Sequence, residues 1–244
     1  MSTILRGKKI YEGKANTLYE TNCPAYLEME STDRISAGNG EKKDVVKGKG
    51  LINNKISTIL FQLFETSGIP THFVCEGSNE YSKVIRKCNM IPLEVIGRFI
   101  AAGSFCKRYG IQSGTVFDDM SFELCLKNDS LGDPFISPSA AALGLRLTTA
   151  RNLLLIEDYT YIIGEVAKDF FEKFELTLVD FKVEFGVEFG YDNETGKILL
   201  CDEFSPDTCR LWDKLGHSLD KDVFRNGAGN VEETYSAILK KIQK

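Results

Sequence analysis

Apolar residues recur at helical spacing in three parts of the chain. Leu51, Ile52, Ile56, Ile59, Leu60, Leu63 and Phe64 predict a helix over about 51–66. Ser67-Gly68-Ile69-Pro70 closes it, with glycine just past the end and proline two beyond. Leu153, Leu154, Tyr161, Ile162, Val166, Phe170, Phe171 and Phe174 predict a long scaffold helix over about 149–175. Val231, Tyr235, Ile238, Leu239 and Ile242 predict a closing helix over 231–242, whose basic end, Lys240-Lys241, suits the helix dipole. Between these the pattern reads as strands: arms at Ile10-Tyr11 and Thr17-Leu18-Tyr19, then Ala25 to Met29, His72 to Cys75, Tyr81 to Cys88 and Ile91 to Ala101.

The stretch from Leu178 to Arg210 organises the rest. Val179 to Phe189 alternates, with Asp180, Lys182 and Glu184 on one face and Phe181, Val183 and Phe185 on the other. A turn at Asp192 to Gly196 leads into Ile198 to Cys201 and then Asp202-Glu203, which reads as a hairpin. Folding about Asn193 would set Glu184 opposite Asp202, and a slip of one residue would bring Glu203 there instead. Facing carboxylates repel unless something positive lies between them. A divalent cation resolves this, and magnesium suits one or two carboxylates together with nucleotide phosphates. The alternative is that these acids pair with lysines along a solvated edge.

Composition narrows the class. With 244 residues, 43% of them hydrophobic, the chain can bury one domain or two closely packed lobes. A net charge of -5 argues against a nucleic-acid scaffold, and the absence of a long apolar run or signal-peptide core predicts no membrane segment and a cytoplasmic protein. Seven cysteines without any C-x-x-C predict reduced thiols, no disulfide and no zinc. Only His72 and His217 are available for histidine chemistry, and neither has supporting context.

Three further features could carry chemistry. Gly13-Lys14-Ala15-Asn16 is a hairpin tip where the backbone at Gly13 can approach a polyphosphate and Lys14 can neutralise it; the alternative is an ordinary surface turn. No G-x-x-x-x-G-K-[ST] or G-x-G-x-x-G occurs. Arg98 is a lone charge in an apolar run, so it either meets an anion, with Gly103-Ser104 opening a short helix toward Lys107-Arg108, or pairs with a buried acid such as Glu94. Lys127, Asp129 and Asp133 cluster in a polar loop before Pro134, and a basic run holds Lys42, Lys43, Lys47 and Lys49.

Taken together, YEGKA at 11–15, SAGNG at 36–40, KGLINNK at 49–55, PLE and R-x-x-AAGS within 92–104, KRYG at 107–110, KND and DP within 127–134, DFKVEFG at 180–186, DEFSPD and RLWDK within 202–214, and LDKDVFR at 219–225 resemble the SAICAR synthetase family of purine biosynthesis. The agreement runs in order over nearly the whole chain. It departs from the family pattern at Asn16, where a second lysine is usual, at Gly97 and Phe99, and at Gly132.

The resemblance implies an α+β, ATP-grasp-like fold, with a β-rich lobe over residues 1–89 covering the nucleotide and a larger catalytic lobe over 90–244. It implies ATP-dependent ligation of L-aspartate to the carboxylate of CAIR, carboxyaminoimidazole ribonucleotide, through an acyl phosphate, with Mg2+ required. By resemblance Gly13, Lys14 and Ala15 face the ATP phosphates, and the adenine lies near Arg86, Lys87, Met90 and Glu94. Glu184 and Asp202 hold the metal, and Lys182 neutralises the transferring phosphoryl. Lys127, Asp133 and Asp180 line the aspartate or imidazole side, and Arg98, Ser104 and Arg210 bind CAIR. A homodimer binding only small-molecule substrates is expected. The rivals are a small-molecule kinase resembling the inositol polyphosphate kinases, which share a D-x-K element like Asp180-Phe181-Lys182, and a non-catalytic nucleotide sensor.

Overall fold

The computed structural model describes residues 4–37 and 42–243, so the glycine turn at 38–40 lies outside the described residues. Two antiparallel sheets make up the molecule. The first has the order β1-β2-β3-β7-β6, from β1 (Arg6–Glu12), β2 (Asn16–Thr21), β3 (Tyr26–Ser31), β6 (Phe73–Glu76) and β7 (Ser82–Arg86). A small hairpin, β4 (Arg34–Ala37) and β5 (Lys42–Val45), and helix α1 (Lys49–Thr66) are inserted between β3 and β6.

The second sheet is built around β11 (Thr177–Glu188), which is paired along both edges. Its first half runs between β9 (Leu93–Ile100) and β13 (Cys209–Trp212), and its second half between β8 (Cys88–Met90) and β12 (Ile198–Cys201). Beyond β9 lies β10 (Val116–Leu126), which pairs with it continuously over Ser121–Leu126 and again at Val116 after a register shift. Phe181, Val183 and Phe185 point into the core beneath, where α3 (Ala150–Glu172) crosses β11, β9 and β10. Helix α5 (Val231–Ile242), N-capped by Asn230, closes over α1. The short helices α2 (Ser104–Tyr109) and α4 (Asp222–Asn226) lie at the rim.

Several expectations are corrected. The hairpin pairs Glu184 with Cys201, not with Asp202 or Glu203; the turn centre sits earlier than Asn193, so the slip runs opposite to the one anticipated. On α3, Leu154 and Ile162 point to solvent, and the buried stripe is Leu153, Ile156, Thr160, Ile163, Ala167 and Phe171. The basic run is divided in the structure: Lys42 packs on the Phe224 ring, Lys43 and Lys47 are exposed, and Lys49 is buried and bonded to Asp207, which also accepts from Asn53 and Tyr235. All seven cysteines are free thiols, and no helix among the described residues is long and apolar enough to cross a membrane.

The glycine at 97 has a packing reason. A Cβ there would come within 2.4 Å of the Phe181 ring and 2.8 Å of the Met120 sulfur, so the phenylalanine occupies the space a side chain would need. Gly97→Ala should therefore cost about 1–3 kcal/mol through overpacking, read as a lower urea midpoint.

His72 is buried against Phe61, with ring centroids 5.1 Å apart. Burial first, and then the Lys83 ammonium, push its imidazole down to about 3, against a hydrogen bond with the Asp202 backbone that works the other way. Between that value and the unfolded value near 6.5 the unfolded chain takes up a proton the folded chain refuses, so stability rises with pH across this window. The slope from this group is at most about 1.4 kcal/mol per pH unit. Urea midpoints between pH 4 and 7 should accordingly climb more steeply for the parent than for His72→Gln.

Candidate active site

One face of the second sheet is lined with charge arranged in rows. Asp180 sits opposite Arg98 on one neighbouring strand and Arg210 on the other, and both guanidiniums bond the same oxygen, Arg210 at 2.6 Å. One step along, Lys182 bonds Glu94; a further step along, Lys127 at the end of β10 bonds both oxygens of Glu184. Successive residues of a strand face opposite ways, so only the alternation of β11 places Asp180, Lys182 and Glu184 in one line. Each row buries its charge with a partner, which is the condition for keeping ionised groups under a protein surface.

Arg98 is 2% exposed, and it also reaches Glu123 at 3.4 Å. Of the two readings open for this residue, the pairing with buried acids holds in the structure, but the acids are Asp180 and Glu123; Glu94 goes to Lys182. Burial works against the Arg210 guanidinium, yet Asp180 and Asp222 outweigh it and hold its pKa above the ordinary value. Arg210 lies against Gly103: a Cβ at Gly103, where φ is +58°, would meet its guanidinium at 2.5 Å, so the Ala101-Ala102-Gly103-Ser104 corner is shaped to this arginine.

At the far end of the rows stands Asp202, in the left-handed region at φ +60°. The segment before β6 holds it there: the His72 amide donates to the Leu200 carbonyl at 2.9 Å, and the His72 ring bonds the Asp202 backbone. Burial, then Glu184 and then Glu203 push the Asp202 carboxyl up to about 8, against the lysines at 182 and 127. An acid resisted by two other acids is a place where positive charge is missing. A cation beside Glu184 and Asp202 would relieve this repulsion, although it would share Glu184 with Lys127, which bonds both oxygens of that carboxylate. Among the described residues no three acids, cysteines or histidines converge to hold an ion alone. Two carboxylates with the remaining ligands from phosphate and water match the habits of magnesium.

The first sheet overhangs this floor through its hairpin tip. The Gly13 amide donates to the Asn16 carbonyl at 2.8 Å, and Lys14 reaches across to Asp129 at 2.7 Å, with both side chains exposed. Asp129 belongs to a loop in which Asn128 caps a short turn and Asp133, at φ +48°, accepts from the Asn128 amide at 2.8 Å. The other anticipated nucleotide contacts are spread about the edge: Arg86 donates to the carbonyls of Thr71 and Phe73, Lys87 lies over the Phe189 ring, and Met90 is exposed on β8.

Two participants were missed in the sequence. Glu203, 3% exposed, accepts from Asn16 and from the Ser205 hydroxyl, and Lys83 is a fully buried lysine of β7. Burial pushes the Lys83 ammonium down to about 8, opposed by Glu203 and Asp202. The sequence carried little signal, because S-K-V-I-R does not alternate and its first four residues are all buried in the structure.

Comparison with known proteins matches this arrangement. Residues 9–242 fit the family described as SAICAR synthetase. A phosphoribosylaminoimidazole-succinocarboxamide synthase of Fusobacterium nucleatum is 46% identical, over 97% of this chain and 98% of its own. The crystal structure of the enzyme of that name from Ehrlichia chaffeensis superposes with a TM-score of 0.92 at 38% identity, covering 97% of this chain and 98% of the other. A SAICAR synthetase in complex with ADP superposes with a TM-score of 0.89 at 39% identity, over 96% and 97% of the two chains. With the motifs in order, the charged floor in place and the fold matched end to end, this chain belongs to the SAICAR synthetase family.

Proposed function

We propose that the chain joins L-aspartate to the carboxylate of CAIR at the expense of ATP, giving SAICAR, ADP and phosphate, with chemistry on the charged face of β11. The observation that carries this is the acid pair Glu184 and Asp202, set beneath the Lys14 tip at one end of the floor, with arginines at the other. Carboxylate oxygen is a poor leaving group. In the first step an oxygen of the CAIR carboxylate bonds to the γ-phosphorus as the bond to the bridging oxygen breaks and ADP leaves. In the second, the aspartate amine bonds to the acyl carbon, phosphate departs and the amine loses a proton. Both steps need alignment and charge neutralisation rather than covalent help from the protein.

In this reading residues 1–89 cover the nucleotide and 90–244 carry the acceptor. Gly13, Lys14 and Ala15 face the phosphates, and the adenine lies toward Arg86, Lys87, Met90 and Glu94. Glu184 and Asp202 hold Mg2+, which when bound offsets phosphate charge. Lys182, between them and Asp180 in the line, meets the transferring phosphoryl. Lys127, Asp133 and Asp180 bound the space for aspartate and the imidazole. A phosphate at the Ser104 corner meets Arg210 and, behind it, Arg98, in exchange for part of their bonding to Asp180, Glu123 and Asp222. Cytoplasmic location and a homodimer belong to the same proposal.

Release of ADP that depends on both CAIR and aspartate tests the reaction; ADP release on a hydroxyl acceptor without aspartate would point to a kinase instead. Glu184→Gln or Asp202→Asn should lower kcat at least about a hundredfold with the fold kept, the scale of a lost main electrostatic element. Activity within a few fold of the parent would remove the metal role. Arg210→Ala should act chiefly on the KM for CAIR, and an unchanged KM there would take Arg210 out of that subsite.

A further inference from the structure

Arg210 is held by two carboxylates on two different nitrogens. Its Nη1 donates to Asp180 at 2.6 Å and its Nε to Asp222 at 2.8 Å. Nη2 makes no such bond among the described residues, and it lies 2.5 Å from where a Cβ on Gly103 would stand. A guanidinium is flat, so two anchored nitrogens fix the direction of the third. Asp180 faces Arg210 from β11 and is shared with Arg98. Asp222 comes from elsewhere: it opens α4, and its other oxygen accepts from Arg225.

The backbone is stitched at the same place. Asp220, fully buried, accepts from the Leu211 amide at 2.9 Å and from the Asp222 amide at 2.8 Å. The residue after Arg210 and the residue that holds Arg210 are thereby fixed to one carboxylate. A first-turn acid suits the helix dipole wherever its side chain points. This arrangement goes further and sets an Asp222 oxygen in register with the Arg210 Nε. Burial works against ionisation of Asp222, but the Arg210 and Arg225 charges outweigh it and hold the carboxyl below its ordinary range.

We propose that Asp222 is a positioning residue for the acceptor subsite: its bond to Nε turns the Arg210 guanidinium so that Nη2 faces the Gly103-Ser104 corner. This rests on the reading that the corner takes the phosphate of CAIR. That phosphate can then draw Nη1 away from Asp180, which still has Arg98, without freeing the guanidinium to rotate. Asp222 touches neither substrate nor reacting atoms in this role.

Removing this acid has opposite effects under two roles. If Asp222 only competes with the ligand for Arg210, Asp222→Ala leaves more positive charge at the corner and lowers the KM for CAIR. If it positions Arg210, Asp222→Ala should raise the KM for CAIR about tenfold, the scale of one misdirected charge-assisted bond, with kcat and the KM for ATP within about twofold. Asp222→Asn keeps an acceptor oxygen in place and should bring the KM for CAIR back to within about threefold of the parent. In the Arg210→Ala background, Asp222→Ala should change that KM less than about twofold, because the acid acts only through the arginine. The proposal is overturned by a KM for CAIR that falls or stays within about twofold in folded Asp222→Ala. It is overturned equally by all three substrate constants moving together, by Asp222→Asn as damaging as Asp222→Ala, or by an undiminished effect without Arg210. If Asp222→Ala does not fold, Asp222→Glu decides by the same readout, since one more methylene pushes the carboxylate out of register. A rise below about twofold there overturns the proposal, and so does a second failure to fold, which assigns Asp222 to holding α4. Arg210→Ala with an unchanged KM for CAIR would instead sink the subsite reading beneath it.

Discussion

One strand with partners on both edges is the constraint on which the rest depends. Because β11 is flanked along its length by β9, β13, β8 and β12, its backbone is satisfied by the sheet and its outward side chains form a line with fixed spacing. That line is Asp180, Lys182, Glu184, of alternating sign; Asp180 and Lys182 take their counter-charges from neighbouring strands and Glu184 takes Lys127 from the loop after β10. Cross-strand opposition places Arg98 and Arg210 on either side of Asp180 and brings both guanidiniums to a common oxygen. The apolar face of the same strand, Phe181, Val183 and Phe185, anchors the floor to the core.

The ionic rows end where the pairing runs out. Glu184 still has Lys127, but Asp202, one residue past the end of β12, is pushed up by burial and by Glu184 and Glu203 against the lysines at 182 and 127, with its backbone in the left-handed region. A site that must accept a polyphosphate and its metal needs such unfinished electrostatics, since a fully paired surface would have nothing to offer the ligand. At the Arg210 end the charges are more nearly matched: Arg98 and Arg210 share Asp180, while Glu123 and Asp222 take further bonds from the same two arginines.

Much of this was legible in the residues. Helix α5 begins and ends where its stripe and the Asn230 cap place it, and α1 differs from its expected span by two residues. The alternation of β11 was visible because Val179, Phe181, Val183 and Phe185 share one face and Asp180, Lys182 and Glu184 the other. On α3 the stripe drifted: Leu154 and Ile162 are apolar yet exposed, and small residues such as Ala167 fill the real contact face, so counting large apolar residues misplaced it. The hairpin register could not be read, because the long connection between Glu188 and Ile198 tolerates several turn centres, and moving the centre changes which residue faces Glu184.

The sequence by itself determined the family, the elements and the residue types of the site, since ordered motifs and periodicity are local properties of the chain. Only the tertiary structure decided which charges meet. The partners of Arg98, the burial of Lys49 and the placing of Glu203 against Asn16 join residues 82, 158 and 187 positions apart or link strands of different sheets. Electrostatic energy depends on distance and desolvation in space, and neither is written in the spacing along the chain.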